Sequence, residues 1–285
     1  MTEHPLLLND EMVRALQSGR KTQTRRPVVS IGDFGRITEV EPSDTPGYDW
    51  TFRDKRMLWN DISNETLMAG SPFGKPGDQL WIREAFTVES NRGIDQYPPP
   101  HNDGRPIRRG SDEDQGEWWE QCHYRATDAE PELDYEDGDG FDPKCKWTPS
   151  IHMPRWASRY SVTVKRVWCE RVQDISETAA RAEGVAGLEE MLATPDGRDA
   201  IAGPDSGLQS GMLGNPRLTF EHLWDSIYAK PKRVPAKGPI SHYISYPWED
   251  VHETREHKDK PWRVNGNPWV WACEWEPLNI ERTEQ

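Results

Sequence analysis

The sequence contains no apolar run of the roughly 20 residues that a helical bilayer span requires. Its first ten residues, MTEHPLLLND, lack the basic start and long apolar centre of a secretory signal. Both absences point to a cytoplasmic protein without a membrane partner. Cysteine is scarce: Cys122, Cys145, Cys169 and Cys273 are far apart and form no C-x-x-C pair. Free, mostly buried thiols are the expectation for a cytosolic chain. A zinc set of Cys122, His123 and Cys145 is disfavoured because adjacent residues rarely ligate one ion, so no metal or other cofactor is expected. Apolar residues are also few, at 34%, and the mean hydropathy is -0.92. With 24 prolines and 22 glycines, this composition excludes a large continuous core and implies a modest one carrying long polar insertions. Phosphate-binding P-loops, G-x-G-x-x-G turns, H-E-x-x-H helices and G-x-S-x-G elbows are all missing. So are internal repeats.

Tryptophan and local positive charge are what the chain has in excess. Fourteen tryptophans supply large buried areas, so they anchor a small core, and the same rings can stack bases. The net charge is -14, which argues against indiscriminate binding of nucleic acid. Between Met12 and Gly32, however, stand five cations (Arg14, Arg20, Lys21, Arg25 and Arg26) and no acid, so the remainder carries a net -19. The patch is either a solvated basic face or a surface turned to a negatively charged ligand.

Along the chain, Pro5–Leu8 reads as a short strand. Asn9 or Asp10 caps a helix with Met12, Val13 and Leu16 on its apolar stripe, and Gly19 stops it. Residues 79–88, QLWIREAFTV, alternate as a strand, which puts Glu84 on the same face as Leu80, Ile82 and Phe86. A carboxylate on such a face needs a partner. The segment PSIHMPRWASR reads as an ordered loop feeding a long strand from Tyr160 to Val172. Asp174 with Glu177 fits a capping box for a helix at 175–183, stopped by Gly184. A helix over 216–230 would share Phe220, Leu223, Trp224 and Ile227 on one face. The closing strand, 267–278, would put Trp269, Trp271, Cys273 and Trp275 on another. The expectation is one α+β domain, 1–285, with insertions or loops at 31–75, 89–146, 184–215 and 231–267. Only HYRATD, 123–128, reads as a strand within the second of these, and the acidic run from Asp128 to Pro143 as a mobile loop.

Lys21, Thr24 and Glu84 carry the candidate chemistry. A lysine in a dry site can give up its proton and act as a base, a threonine hydroxyl needs such a base to attack, and a carboxylate can orient the lysine. Arg155, Trp156 and Arg159 place cations beside an indole, a composition suited either to stacking bases and gripping phosphate or to carboxylate pairing and core packing. His152 reads as a structural hydrogen-bonding residue.

The run GRKTQTRR, with GDQLWIREAF downstream, resembles the ASCH domain family of the PUA-like superfamily. Gly19, Lys21, Thr24 and Arg26 match that family's lysine–threonine segment, and Glu84 matches its strand-ending glutamate. The phrases PSIHMPRWASR and NPWVW make the chain similar to larger ASCH-type proteins of tailed phages and prophages. The resemblance covers the N-terminal third, 147–184 and 216–278. It implies a PUA-like β-barrel flanked by helices, a host-cell cytoplasmic setting, and a modified nucleoside, RNA or DNA as partner. It also implies an amidohydrolase that removes an acyl group from N4 of cytidine or a related pyrimidine, with Thr24 as nucleophile, Lys21 as base and Glu84 positioning the lysine. Arg20, Arg25, Arg26, Trp81, Arg155, Trp156 and Arg159 are then the expected substrate-binding residues. Alternatives are a noncatalytic binder of modified nucleic acid and a phage accessory or morphogenesis protein. One geometric condition accompanies the catalytic expectation. In a regular strand the odd spacing of Lys21 and Thr24 puts them on opposite faces, so the chain has to bend between them. Nothing in the sequence fixes an oligomeric state.

Overall fold

The computed structural model describes residues 1–91, 100, 103–112, 116–129, 136–137, 140–141, 146–185, 215–234 and 243–278. In chain order it begins with β1 (Glu3–Leu7), α1 (Asp10–Gln17), β2 (Gln23–Pro27), β3 (Ser30–Ile31), β4 (Gly35–Pro42), β5 (Trp50–Asp54) and β6 (Trp59–Ile62). Then come α2 (Asn64–Ala69), β7 (Gln79–Arg83), β8 (Phe86–Ser90), β9 (Ile107–Asp112), β10 (Gly116–Tyr124), β11 (Glu136–Asp137), β12 (Gly140–Phe141), β13 (Ser161–Arg171) and α3 (Glu177–Ala182). The last are α4 (Pro216–Tyr228), β14 (Lys232–Arg233), β15 (Tyr243–Ser245), β16 (His252–His257), β17 (Lys260–Asn265) and β18 (Trp269–Trp275). The class is α+β, rich in strands. Among the described residues no sheet closes on itself, so the expected barrel is not formed there.

The chain divides into two compact units. The first comprises Met1–Gly19, Asp78–Thr163 and Pro277–Gln285, and the second Arg20–Gly77 and Val164–Glu276. In the first, β1 pairs in parallel with β7, and the opening residues of β13, Ser161–Thr163, run antiparallel to β7. A second sheet has the order β8-β10-β9, and Phe86, Cys122, Tyr124, Met153 and Ala157 pack together as a core cluster. Asn9 caps α1 by accepting from the Met12 amide, and Gly19 follows that helix at φ 75°, a left-handed backbone that costs glycine little.

In the second unit the rest of β13 pairs antiparallel with β18, which pairs antiparallel with β2. β18 therefore lies between two strands, and Val270 and Ala272 are as buried as Trp271, Cys273 and Trp275. The sequence assigned only one of these faces to the core. The stretches read as polar insertions at 31–75 and 231–267 hold two four-stranded sheets, β3-β4-β5-β6 and β14-β15-β17-β16. Their strands are short and their outward faces charged, which is why hydropathy alone understates them. Val172, Ile175, Ala180, Phe220, Trp224 and Trp248 form the core beneath α3 and α4.

Several boundaries move. The strand expected at 79–88 splits around Glu84, and 107–112 and 116–124 are strands while 125–127 turn. Ser176, accepting from the Ala179 amide, caps α3 in place of Asp174. Ile227 is exposed and leaves the apolar face of α4 to Phe220, Leu223 and Trp224. Residues 130–135, 142–145 and 186–214, which include most of the acidic loop and Cys145, lie outside the described residues.

Candidate active site

Lys21 precedes β2, which starts only at Gln23, so strand alternation does not set its side relative to Thr24, and no hydrogen bond joins Lys21 to the Thr24 hydroxyl. The chain turns after Gly19. The Lys21 ammonium then folds forward and donates to the carbonyl of Gln23 (2.9 Å), the peptide unit leading into Thr24. It also donates to the Glu183 carbonyl (2.6 Å) and to Glu183 Oε2 (3.1 Å). Its Nζ stands 5.8 Å from the centre of the Trp275 ring. Lys21 is 2% exposed and Thr24 0%. Burial pushes the Lys21 pKa down, against the pull of Glu183, and the positive charges of Arg26 and Arg25 push the same way.

The Thr24 hydroxyl is buried and makes no hydrogen bond among the described residues, and the same holds for the indole N–H of Trp275. Unpaired buried polar atoms are uncommon, and those in native proteins often mark a functional group or a missing ligand. Opposite Thr24 in the β2–β18 register stands Cys273, whose thiol burial raises to about 12, so it is neutral and not a competing nucleophile.

Glu183 is the carboxylate at this lysine. It follows α3 directly, ahead of Gly184 at φ 92°. Glu183 Oε1 accepts from Arg25 Nη1 at 3.1 Å. Arg25 Nε donates to Glu170 Oε1 at 2.7 Å, and Trp168 Nε1 donates to Glu170 Oε2 at 2.7 Å. The sequence did contain a signal for Glu183: an acid in the last turn before a glycine stop. At a helix C-terminus a carboxylate opposes the dipole, so it stays there only with compensating cations.

Glu84 belongs to the first unit. It is 1% exposed, and both its oxygens accept from Arg159, at 2.9 and 2.8 Å. Burial raises its pKa, and Arg159 opposes that rise. The structure thus gives Lys21 Glu183, and Glu84 Arg159. Arg25, expected to meet ligand, is 2% exposed and consumed by carboxylates. Arg20 and Arg26 are half-buried, Arg26 Nη1 donating to the Arg25 carbonyl at 3.1 Å. In the first unit, Arg155 pairs with Glu3 through two hydrogen bonds and, like Arg83, lies over the Trp81 ring, at 5.9 and 5.3 Å. Trp156 packs on the core cluster with Arg108 5.0 Å from its ring. A half-buried Trp81 and an exposed Arg155 thus form a cation–aromatic group, whereas Arg159 and Trp156 serve pairing and packing.

Sequence reasoning also missed a cavity of about 240 Å³ in the second unit. Glu39, Glu41, Arg171, Tyr246, Arg263 and Trp269 are among its lining residues. Arg171 lies 4.8 Å from the Trp269 ring, and Arg263 is tied to Glu39. Three of these lining residues, Glu39 and Glu41 on β4 and Arg263 on β17, come from sheets that read as insertions.

The chain matches no protein-family model, no curated protein and no solved structure. The likeness to the ASCH family therefore rests on the quoted motifs.

Proposed function

We propose that the protein is a nucleoside- or nucleic-acid-directed amidohydrolase that removes an acyl group from N4 of cytidine or a related modified pyrimidine, using Lys21, Thr24 and Glu183. What supports this reading is a buried Thr24 hydroxyl that makes no hydrogen bond among the described residues, three positions along from a buried lysine that burial drives toward its neutral form and whose amine bonds the Gln23 carbonyl. Neutral Lys21 takes the hydroxyl proton as Thr24 Oγ1 adds to the acyl carbonyl. The carbon–nitrogen bond then breaks, and the base amine leaves with the proton returned by the Lys21 ammonium. Water, deprotonated by Lys21, hydrolyses the acyl-threonine and releases the carboxylic acid. Glu183 holds the lysine in place through both states. Since Lys21 and Thr24 are covered, substrate reaches them only when covering side chains move.

The test is turnover of N4-acetylcytidine, alone and within oligonucleotides, followed by release of cytidine. Lys21→Ala and Thr24→Ala should abolish it. Glu183→Gln should cost 10²-fold or more, on the order of one catalytic acid–base contribution, whereas Glu84→Gln should leave the rate of the folded fraction within a fewfold. An inactive wild type across acylated nucleosides rejects the reading.

A second reading, a noncatalytic binder of RNA or modified DNA, draws on the 240 Å³ cavity with its arginine-stacked indole. It predicts salt-sensitive oligonucleotide binding that Arg171→Ala weakens and Lys21→Ala leaves intact. Salt-independent binding speaks against it.

A further inference from the structure

Arg25 is buried to the same degree as Lys21 and donates to the other oxygen of the same carboxylate. Its own charge is met by Glu170, which the Trp168 indole holds in turn. We propose, resting on the hydrolase reading above, that Arg25 is a positioning residue: it shares Glu183 with Lys21 and keeps the lysine amine out of a closed one-to-one ion pair.

A lysine sealed against a single buried carboxylate is fixed as an ammonium, because the opposite charge favours the protonated form. Such a lysine cannot serve as a base. The groups around Lys21 change that balance. From β2 come Arg25 and Arg26, from the end of α3 Glu183, from β13 Glu170 behind Arg25, and from β18 the Trp275 ring and the neutral Cys273 thiol. With Lys21 protonated, this cluster holds three cations and two carboxylates. Loss of one proton leaves it neutral. The cation of this cluster able to give up a proton is Lys21, because a guanidinium does not deprotonate in proteins. Arg25 also occupies Glu183 Oε1, which fixes the carboxylate so that Oε2 faces the amine. Gln23 Oε1 accepts from Arg25 Nη1 at 3.2 Å and completes the clamp.

The experiment reads Lys21 directly. In the full chain labelled with ¹³C-lysine, the Lys21 ε-methylene signal, identified as the one absent from Lys21→Met, is titrated by NMR. Arg25→Gln should raise the Lys21 midpoint by about one pH unit or more, since a like charge is lost. Arg25→Lys should restore it. Glu170→Gln, which frees Arg25 to turn wholly to Glu183 and removes a negative charge, should shift the midpoint the opposite way. It is the variant to rely on if Arg25→Gln does not fold. The acid limb of the kcat/KM profile should move with the NMR midpoint in each case. An unchanged midpoint in folded Arg25→Gln and in Glu170→Gln overturns the assignment. Midpoints that move as expected in a protein that deacylates nothing uphold Arg25's control of the lysine charge and reject the hydrolase reading instead.

Discussion

Lys21 is the residue whose surroundings have the clearest consequence for stability. Its pKa in the fold lies below the ordinary 10.5, with burial as the leading cause. Between those two values the unfolded chain holds the proton and the native state does not. Stability must therefore rise with pH across that window and decline as pH falls through the lowered value. Urea unfolding from pH 6 to 10 should show wild type gaining on Lys21→Met by at most about 1.4 kcal/mol per pH unit, the limit for one proton. A difference that does not vary with pH would show that the Lys21 pKa is not lowered in the fold. Glu84 with Arg159 gives a second expectation. The pair is almost wholly buried and bonded twice, so Arg159→Ala should cost about 3–5 kcal/mol by stranding the carboxylate. Glu84→Gln, which keeps the shape and removes the charge, should cost less. Chemical denaturation of both variants measures this. The sequence marked Glu84 as a carboxylate in need of a partner but could not name that partner, since Arg159 is 75 residues away. It singled out Lys21 and Thr24 through a motif, and it missed Glu183 because helix-end acids are common and only the fold brings this one to the lysine.

At the scale of elements, α3 matters out of proportion to its six residues, because its end delivers Glu183. Ser176 supplies the side-chain cap at its start. Ser176→Ala should cost about 1 kcal/mol and, through loosened placement of Glu183, lower the proposed hydrolase activity more than stability alone explains. Thermal unfolding and turnover on the same sample test this. Gly266, just after β17, lines the cavity. A methyl group there would meet the Glu249 carbonyl at 1.8 Å and the Val251 amide at 2.4 Å, both backbone atoms. Gly266→Ala should therefore destabilise by about 1–3 kcal/mol and reshape the cavity, visible as a lower melting temperature and weakened ligand binding. Helix α1 and its cap, α4 and β18 were legible because their apolar periodicity is strong and their stops are glycine or proline. The sheets of 31–75 and 231–267 were not, because each strand is short and much of its surface is polar.

For the molecule as a whole, the charge of -14 sets the terms on which any polyanion approaches. The basic run that seemed to offset it contributes Lys21 and Arg25 to buried ion pairs, so those two charges do not face solvent. Oligonucleotide binding should accordingly show a shallow salt dependence, on the order of two or three phosphate contacts, measured by anisotropy between 50 and 200 mM salt. A slope several times steeper would point to an extended basic surface that the described residues do not present. The richness in strands came from the structure, whereas composition and periodicity were enough to establish an α+β chain, and local motifs were enough to single out Lys21, Thr24 and Glu84 as candidates. These are properties of near neighbours along the chain, written in side-chain spacing. Which carboxylate meets which cation depends on pairs separated by 75 to 162 residues, and spacing along the chain carries no record of it. Folding gave Glu183 to Lys21, Arg159 to Glu84, and Arg25 to the interior.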